Sequence, residues 1–158
     1  MRVIKQGEER HDDWTLPGAV APEGARLVLP LAEWRERSPE AGLSPYGLLL
    51  TTADQVEEVL PAALRSPLVA IEFTDFNDGR GYSLARQLRA AGYAGDVRAV
   101  GEVLRDHAFY LARCGFSSFA PAPRVSGAAF IAGLEDFSLA YQAAADQRTI
   151  VQRLRRAR

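Results

Sequence analysis

An apolar run, Leu68 to Phe73, gives way at Thr74 to a polar loop, Asp75-Phe76-Asn77-Asp78-Gly79-Arg80-Gly81-Tyr82-Ser83, that opens into a segment of helical period. With Glu72 before it and Arg86 beyond it, this stretch holds the densest set of side chains able to do chemistry. Two chemistries are open. The carboxylates Glu72, Asp75, Asp78 and, further on, Glu102 could exchange protons or hold a divalent metal. Alternatively, Gly79 and Gly81 flex a turn into a helix whose first backbone amides are unpaired, while Arg80 and Arg86 add fixed positive charge. That outlines an anion site for phosphate, a sulfur oxyanion or a partner's carboxylate. A structural role suits the same residues, with Asp78 or Ser83 capping the helix and Arg80 pairing with Asp75.

Sharper motifs fail around this loop. Gly79-Arg80-Gly81-Tyr82-Ser83-Leu84 begins like a dinucleotide fingerprint, but Leu84 replaces the third glycine and the unit follows the third apolar run instead of the first. Asp96 stands roughly where a ribose-binding acid would be sought, a single acid in a charged chain. A calcium loop starting at Asp75 needs glycine sixth and glutamate twelfth, positions that Arg80 and Arg86 occupy. No Gly-Lys-Ser/Thr occurs, which removes a P-loop, and Ser83, Ser117 and Ser118 lack the G-x-S-x-G elbow of serine hydrolases. His107 and Cys114 share a helix face, but it is the apolar face, so they read as core packing. His11 lies far from both, with no metal-ligand spacing.

Two further charges interrupt apolar runs. Glu72 sits among Leu68, Val69, Ala70, Ile71 and Phe73, and Arg98 sits among Val97, Ala99 and Val100. Burying either alone is costly, so neighbouring strands would pair Glu72 with Arg98 near the carboxyl ends that carry the loop and Glu102. An edge strand would leave both solvated.

The elements that must position these residues alternate in type. Strands are expected at Leu27 to Leu29, Tyr46 to Thr51, Leu68 to Phe73, Val97 to Val100 and Phe116 to Phe119, with helices starting near Leu31, Ala53, Gly81, Glu102 and Gly127. The fourth helix carries a stripe of Val103, Leu104, His107, Ala108, Leu111 and Cys114, closed by Gly115. A stripe of Phe130, Leu134, Phe137 and Tyr141 docks a last helix. This is an α/β domain of about five mainly parallel strands; inward polar residues on successive strands make a partial (βα) barrel the alternative. Residues 1–26 read as an N-terminal extension in which Arg2 to Lys5 forms an edge strand and Trp14 to Pro17 a short extended piece. Residues 27–145 form the α/β domain. Residues 146–158, with Arg148, Arg153, Arg155, Arg156 and Arg158, form a basic tail or helix end that frays or docks on an acidic partner.

The totals bound the rest. The 158 residues suffice for one domain with a real core, and 47% hydrophobic with 25% charged residues is ordinary for a soluble protein. A formal net charge of -1 supplies no global attraction to nucleic acid or anionic membrane. The single cysteine cannot form an internal disulfide or hold a thiolate metal site alone. Acids at Glu8, Glu9, Asp12 and Asp13 stand where a signal peptide needs an apolar core, so a cytoplasmic location is expected. A homodimer is allowed for.

The strings Asp78-Gly79-Arg80-Gly81-Tyr82-Ser83-Leu84-Ala85-Arg86-Gln87-Leu88-Arg89, Gly95 to Asp106 and Arg113-Cys114-Gly115-Phe116 resemble a bacterial family of unknown biochemistry that is labelled an oxidoreductase involved in sulfite reduction. The resemblance spans Leu27 to about Tyr141 and is densest from Phe73 to Phe119. The chain departs from it at His107, where glutamine is expected, and at Thr74, where proline is. The label reflects genes lying beside those for sulfite reductase and sulfate assimilation, so it implies a pathway and brings no catalytic residue. No flavin, nicotinamide, haem or cluster motif accompanies it, and no cofactor is expected. With that pathway, the leading expectation is an accessory protein of assimilatory sulfite reduction, binding sulfite reductase or a sulfur oxyanion through Asp75 to Ser83 with Arg80, Arg86 and Arg98 supplying charge. An independent small-molecule enzyme or sensor built on Glu72, Asp75, Asp78 and Glu102 is the other expectation.

Overall fold

Leu68-Val69-Ala70-Ile71 is apolar without alternation, as a strand must be when both its faces are covered. It forms the heart of a sheet. A computed structural model of the chain describes residues 1–38, 40–75 and 77–136. The strands are β1 (Arg2–Lys5), β2 (Glu8–His11), β3 (Trp14–Thr15), β4 (Arg26–Pro30), β5 (Gly47–Thr51), β6 (Leu68–Phe73), β7 (Asp96–Gly101) and β8 (Ser118–Phe119). The helices are α1 (Leu31–Arg37), α2 (Val56–Ala63), α3 (Arg80–Ala90), α4 (Ala108–Arg113) and α5 (Gly127–Leu134).

The sheet runs β2-β1-β8-β7-β6-β5-β4-β3. Strands β3 to β8 are mutually parallel, and the β1–β2 hairpin is added antiparallel on β8. This is a mixed α/β domain whose mainly parallel strands alternate with helices and curl into a half-barrel. The five parallel strands expected from the apolar runs are β4 to β8.

Strand alternation divides the side chains between two faces. Val69, Ile71, Phe73, Val97 and Ala99 point outward and pack under the helices with Trp34, Val59, Leu84, Leu88, Leu111 and Phe130. Leu68 and Ala70 of β6 and Val100 of β7 point inward, where they join Trp14 and Val28 in a second cluster. By the same period Glu72, Asp96 and Arg98 belong to the inner face.

The curl is tied by the N-terminal residues. Strands β2 and β3 lie at opposite edges of the sheet, yet only Asp12 and Asp13 separate His11 from Trp14, a span of about 10 Å at full extension. The Asp12 amide donates to Met1 O at 3.0 Å, continuing the β1–β2 ladder, and the Arg26 amide donates to Asp13 O at 3.0 Å, continuing β3–β4. Residues 12–13 therefore strap the two edges together.

Helix four starts later than its apolar stripe suggests. Gly101 takes a left-handed φ of +86°, the Glu102 amide donates to Phe73 O at 2.7 Å, and Leu104 is extended, so the chain turns before it coils. A 3-10 turn, Arg105–His107, then leads into α4. Phe137, Tyr141 and the arginines from Arg148 onward lie outside the described residues.

Candidate functional site

The loop between β6 and α3 is organised by one carboxylate. Asp78 Oδ1 accepts from the Arg80 amide at 3.1 Å and from Arg80 Nε at 3.0 Å, while Oδ2 accepts from Arg80 Nη2 at 2.7 Å and from the Thr52 hydroxyl at 2.5 Å. Bonds from the Arg80 side chain first, then from Thr52 and the Arg80 amide, hold the Asp78 carboxyl well below the usual carboxylate range. Asp78 is thus an acceptor with its lone pairs occupied, a poor general base at neutral pH. Arg80 pairs with Asp78, correcting the expected bond to Asp75; the carboxylate two residues back already sits beside the helix start. Asp75 instead accepts from the Asn77 amide at 2.8 Å, shaping the turn.

The two glycines have separate uses. Gly79 precedes α3 with nothing within 4 Å of where a Cβ would stand. Gly81 lies flat on Phe73, whose ring carbons would meet a Cβ at 2.7 Å. That close approach lets α3 settle on β6, and it places Tyr82 over Phe73 and Tyr110 over Tyr82, with ring centroids 5.4 and 5.1 Å apart. Burial, with the neighbouring Cys114 and Tyr110 groups adding to it, pushes the Tyr82 phenol up to about 12.

Arg98 does not pair with Glu72. The register sets Ala70 beside Arg98 and Glu72 beside Val100, and the Arg98 side chain turns toward the amino ends of the strands. There its Nη2 meets Asp12 Oδ2 at 2.5 Å and Asp96 Oδ2 at 3.3 Å, and its Nε donates to Ser118 Oγ at 2.9 Å. The Arg98 side chain is only 2% exposed. Burial alone would push the Asp96 carboxyl up, but bonds from Ser117, Lys5 and Ser118 and the Arg98 charge outweigh it and hold that carboxyl low. This network braces the strap and is remote from the β6–α3 loop, so Arg98 leaves the candidate anion set.

The other charges at the carboxyl ends do not converge either. Glu102 pairs with Arg124 at the surface. Glu72 is half-buried on the inner face, and its carboxylate forms no hydrogen bond or ion pair among the described residues. No group of three or more His, Cys, Asp or Glu able to hold a metal occurs among the described residues.

What remains accessible is the outer face of α3. Arg80, Ser83, Arg86 and Gln87 are all exposed, and residues 79–95 contain no Asp or Glu. Arg86 has no hydrogen-bond or ion-pair partner among the described residues, while Arg80 is 67% exposed with its Nη1 outside the Asp78 pair. The chain therefore offers a basic, donor-rich helix face beside a carboxylate that is already spent.

The model of a bacterial protein family of unknown function, DUF934, matches residues 47–151, about two-thirds of the chain. The chain belongs to that family. No curated protein and no solved structure matches it. The matched span begins at β5 and includes the β6–α3 loop, the α3 face, α4 and the turn after it; β1 to β4 with the Asp12 strap precede it. Among the described residues no helix is long and apolar enough to cross a membrane.

Two residues went unnoticed in the sequence, Thr52 in the site loop and Asp12 in the strap. Thr52 carries a weak signal, a hydroxyl directly after the apolar run that becomes β5, where neighbouring strand ends meet. Asp12 carries none, because an acid in a charged N-terminal segment looks solvated.

Proposed function

We propose that the protein is a cytoplasmic accessory factor of assimilatory sulfite reduction that docks on sulfite reductase, or holds its oxyanion, through the outer face of α3, without a redox cofactor of its own. The observation that carries this reading is the exposed, acid-free face of Arg80, Ser83, Arg86 and Gln87, in which Arg86 is unpaired. Exposed arginines in a fixed helical frame are suited to binding carboxylate or oxyanion. The spent Asp78 supports binding over acid/base work. The sulfur pathway comes from the resemblance of the Asp78 to Arg89 string. Two experiments test the proposal: tagged protein should capture sulfite reductase, with capture lost in Arg80→Ala/Arg86→Ala, and a deletion strain should grow poorly on sulfate as sole sulfur source. Normal growth together with no capture removes it.

One observation favours a second reading. Glu72 is a half-buried, unpartnered carboxylate at the carboxyl end of a parallel strand, the place where α/β proteins hold ligands. An independent small-molecule enzyme or sensor would use it. A thermal-shift screen of nucleotides, oxyanions and divalent ions on the isolated protein separates the two, because only the second reading requires stabilisation by a ligand that Glu72→Gln abolishes.

A further inference from the structure

Between α3 and the turn joining α4 to β8 runs an open groove of about 690 Å³, lined by Arg86, Gln87, Arg89, Ala90, Ala112 and Phe116. Its two arginines differ. Arg89 is locked: its guanidinium donates to Gly115 O at 2.8 Å, Tyr93 O at 2.9 Å, Gly95 O at 2.7 Å and Ser117 Oγ at 3.2 Å. It ties the wall of the groove to the sheet and has no direct carboxylate partner, Asp96 lying behind the Ser117 hydroxyl that both side chains share. Arg86, at the rim, has all its guanidinium donors unpaired among the described residues. No acid lines the groove. The floor of Ala90, Ala112 and Phe116 is apolar. The result is a fixed positive potential over an apolar trough, with one guanidinium fork free to close on a carboxylate.

The geometry points to an acidic protein segment as the occupant, one that lays an apolar side chain on Ala90, Ala112 and Phe116 and presents a neighbouring carboxylate to Arg86. Charge complementarity selects an acid. The open form of the groove selects a segment over a small ligand, which is ordinarily enclosed over most of its surface. Arginine is also among the residues enriched at the energetic centres of protein interfaces. Because Arg89 is already pinned, Arg86 is the one groove arginine left to be ordered when the partner arrives. This inference rests on the docking reading of α3 and names the chemistry of the partner.

The test uses the full chain and a labelled probe peptide, acetyl-Ser-Asp-Glu-Leu-Asp-Phe-Glu-Ser-amide, with one counterpart whose acids are amides and another whose Leu and Phe are Ser. Fluorescence polarisation should show the acidic apolar probe binding at least about tenfold more tightly than either counterpart, a difference of about 1.4 kcal/mol. Arg86→Ala should lose that preference, Arg86→Lys should keep part of it, Ala112→Trp should block the groove, and Arg37→Ala, on α1 and outside this face, should change binding less than about twofold. Absence of probe binding overturns the inference, as does binding that Arg86→Ala and Ala112→Trp leave intact, or competition by hexanoate as effective as that by the peptide. Probe binding without capture of sulfite reductase keeps the groove and removes the reductase. Capture without probe binding does the reverse.

Discussion

At the scale of single residues, Gly81 and His107 make opposite kinds of demand. Gly81 is in a helix, where alanine would ordinarily stabilise by about 0.5–1 kcal/mol. Here the added methyl meets the Phe73 ring at 2.7 Å, and overpacking of a close-packed core costs about 1–3 kcal/mol. Gly81→Ala should therefore lower stability by about 1 kcal/mol in urea unfolding; a higher midpoint would contradict the packing account. His107 Nδ1 accepts from the Leu104 amide at 3.4 Å at the entry to α4, which requires that nitrogen to be unprotonated. Burial pushes the imidazole below its usual value, with Asp106 opposing it. The unfolded chain then takes up the proton first as pH falls, so the contribution of His107 is intact above about 6.5 and is lost between there and its lower folded value. The difference in stability between the native chain and His107→Gln should narrow or reverse as pH falls from 7.5 to 5. A gap independent of pH would remove histidine from the account.

At the scale of elements, the strap depends on a buried charge that has partners from two directions. Asp12→Ala strips Arg98 of its closest carboxylate and leaves a guanidinium that is 2% exposed under-paired. Breaking such a pair costs about 3–5 kcal/mol when both groups are buried, so with Asp12 partly exposed a loss of about 2–3 kcal/mol is expected. Arg98→Met should cost less, because Asp96 keeps Lys5, Ser117 and Ser118 and Asp12 can turn to water. If chemical unfolding ranks Arg98→Met as the more damaging change, the strap is held by packing and not by the charge. Much of this architecture was legible in the chain. The runs Leu68–Phe73 and Val97–Val100 announced strands because each is apolar on both faces but for one charge, Glu72 and Arg98. By contrast, Glu8–His11 is a strand that is exposed along its whole length, so no alternation marks it, and Asp12 has no local sign of its distant partner. The candidate site was half legible for the same reason. Gly79-Arg80-Gly81 marked the loop, but the Thr52 hydroxyl that also binds Asp78 comes from a strand end 26 residues away, which no local pattern shows.

At the scale of the molecule, the curled sheet makes the N-terminal residues part of the core. Residues 1–16 supply three of the eight strands among the described residues and, through Met1, Trp14 and Leu16, part of the inner apolar cluster. They also supply Asp12. Without them β8 and β4 would each present an unpaired edge, Arg98 would keep Asp96 and Ser118 but lose its closest carboxylate, and Val28, Leu68, Ala70 and Val100 would lose their cover. A segment that merely leaned on a finished domain would open on its own, with exchange of its amides far faster than that of the core. One that completes the sheet cannot. In native-state hydrogen exchange the amide of Ile4 on β1, buried to 1%, should therefore be protected to the same free energy as Ile71 on β6, and a chain starting at Pro17 should lose its cooperative unfolding transition. Exchange at Ile4 several kcal/mol easier than at Ile71, or a sharp transition in the shortened chain, would show that the half-barrel stands without its strap.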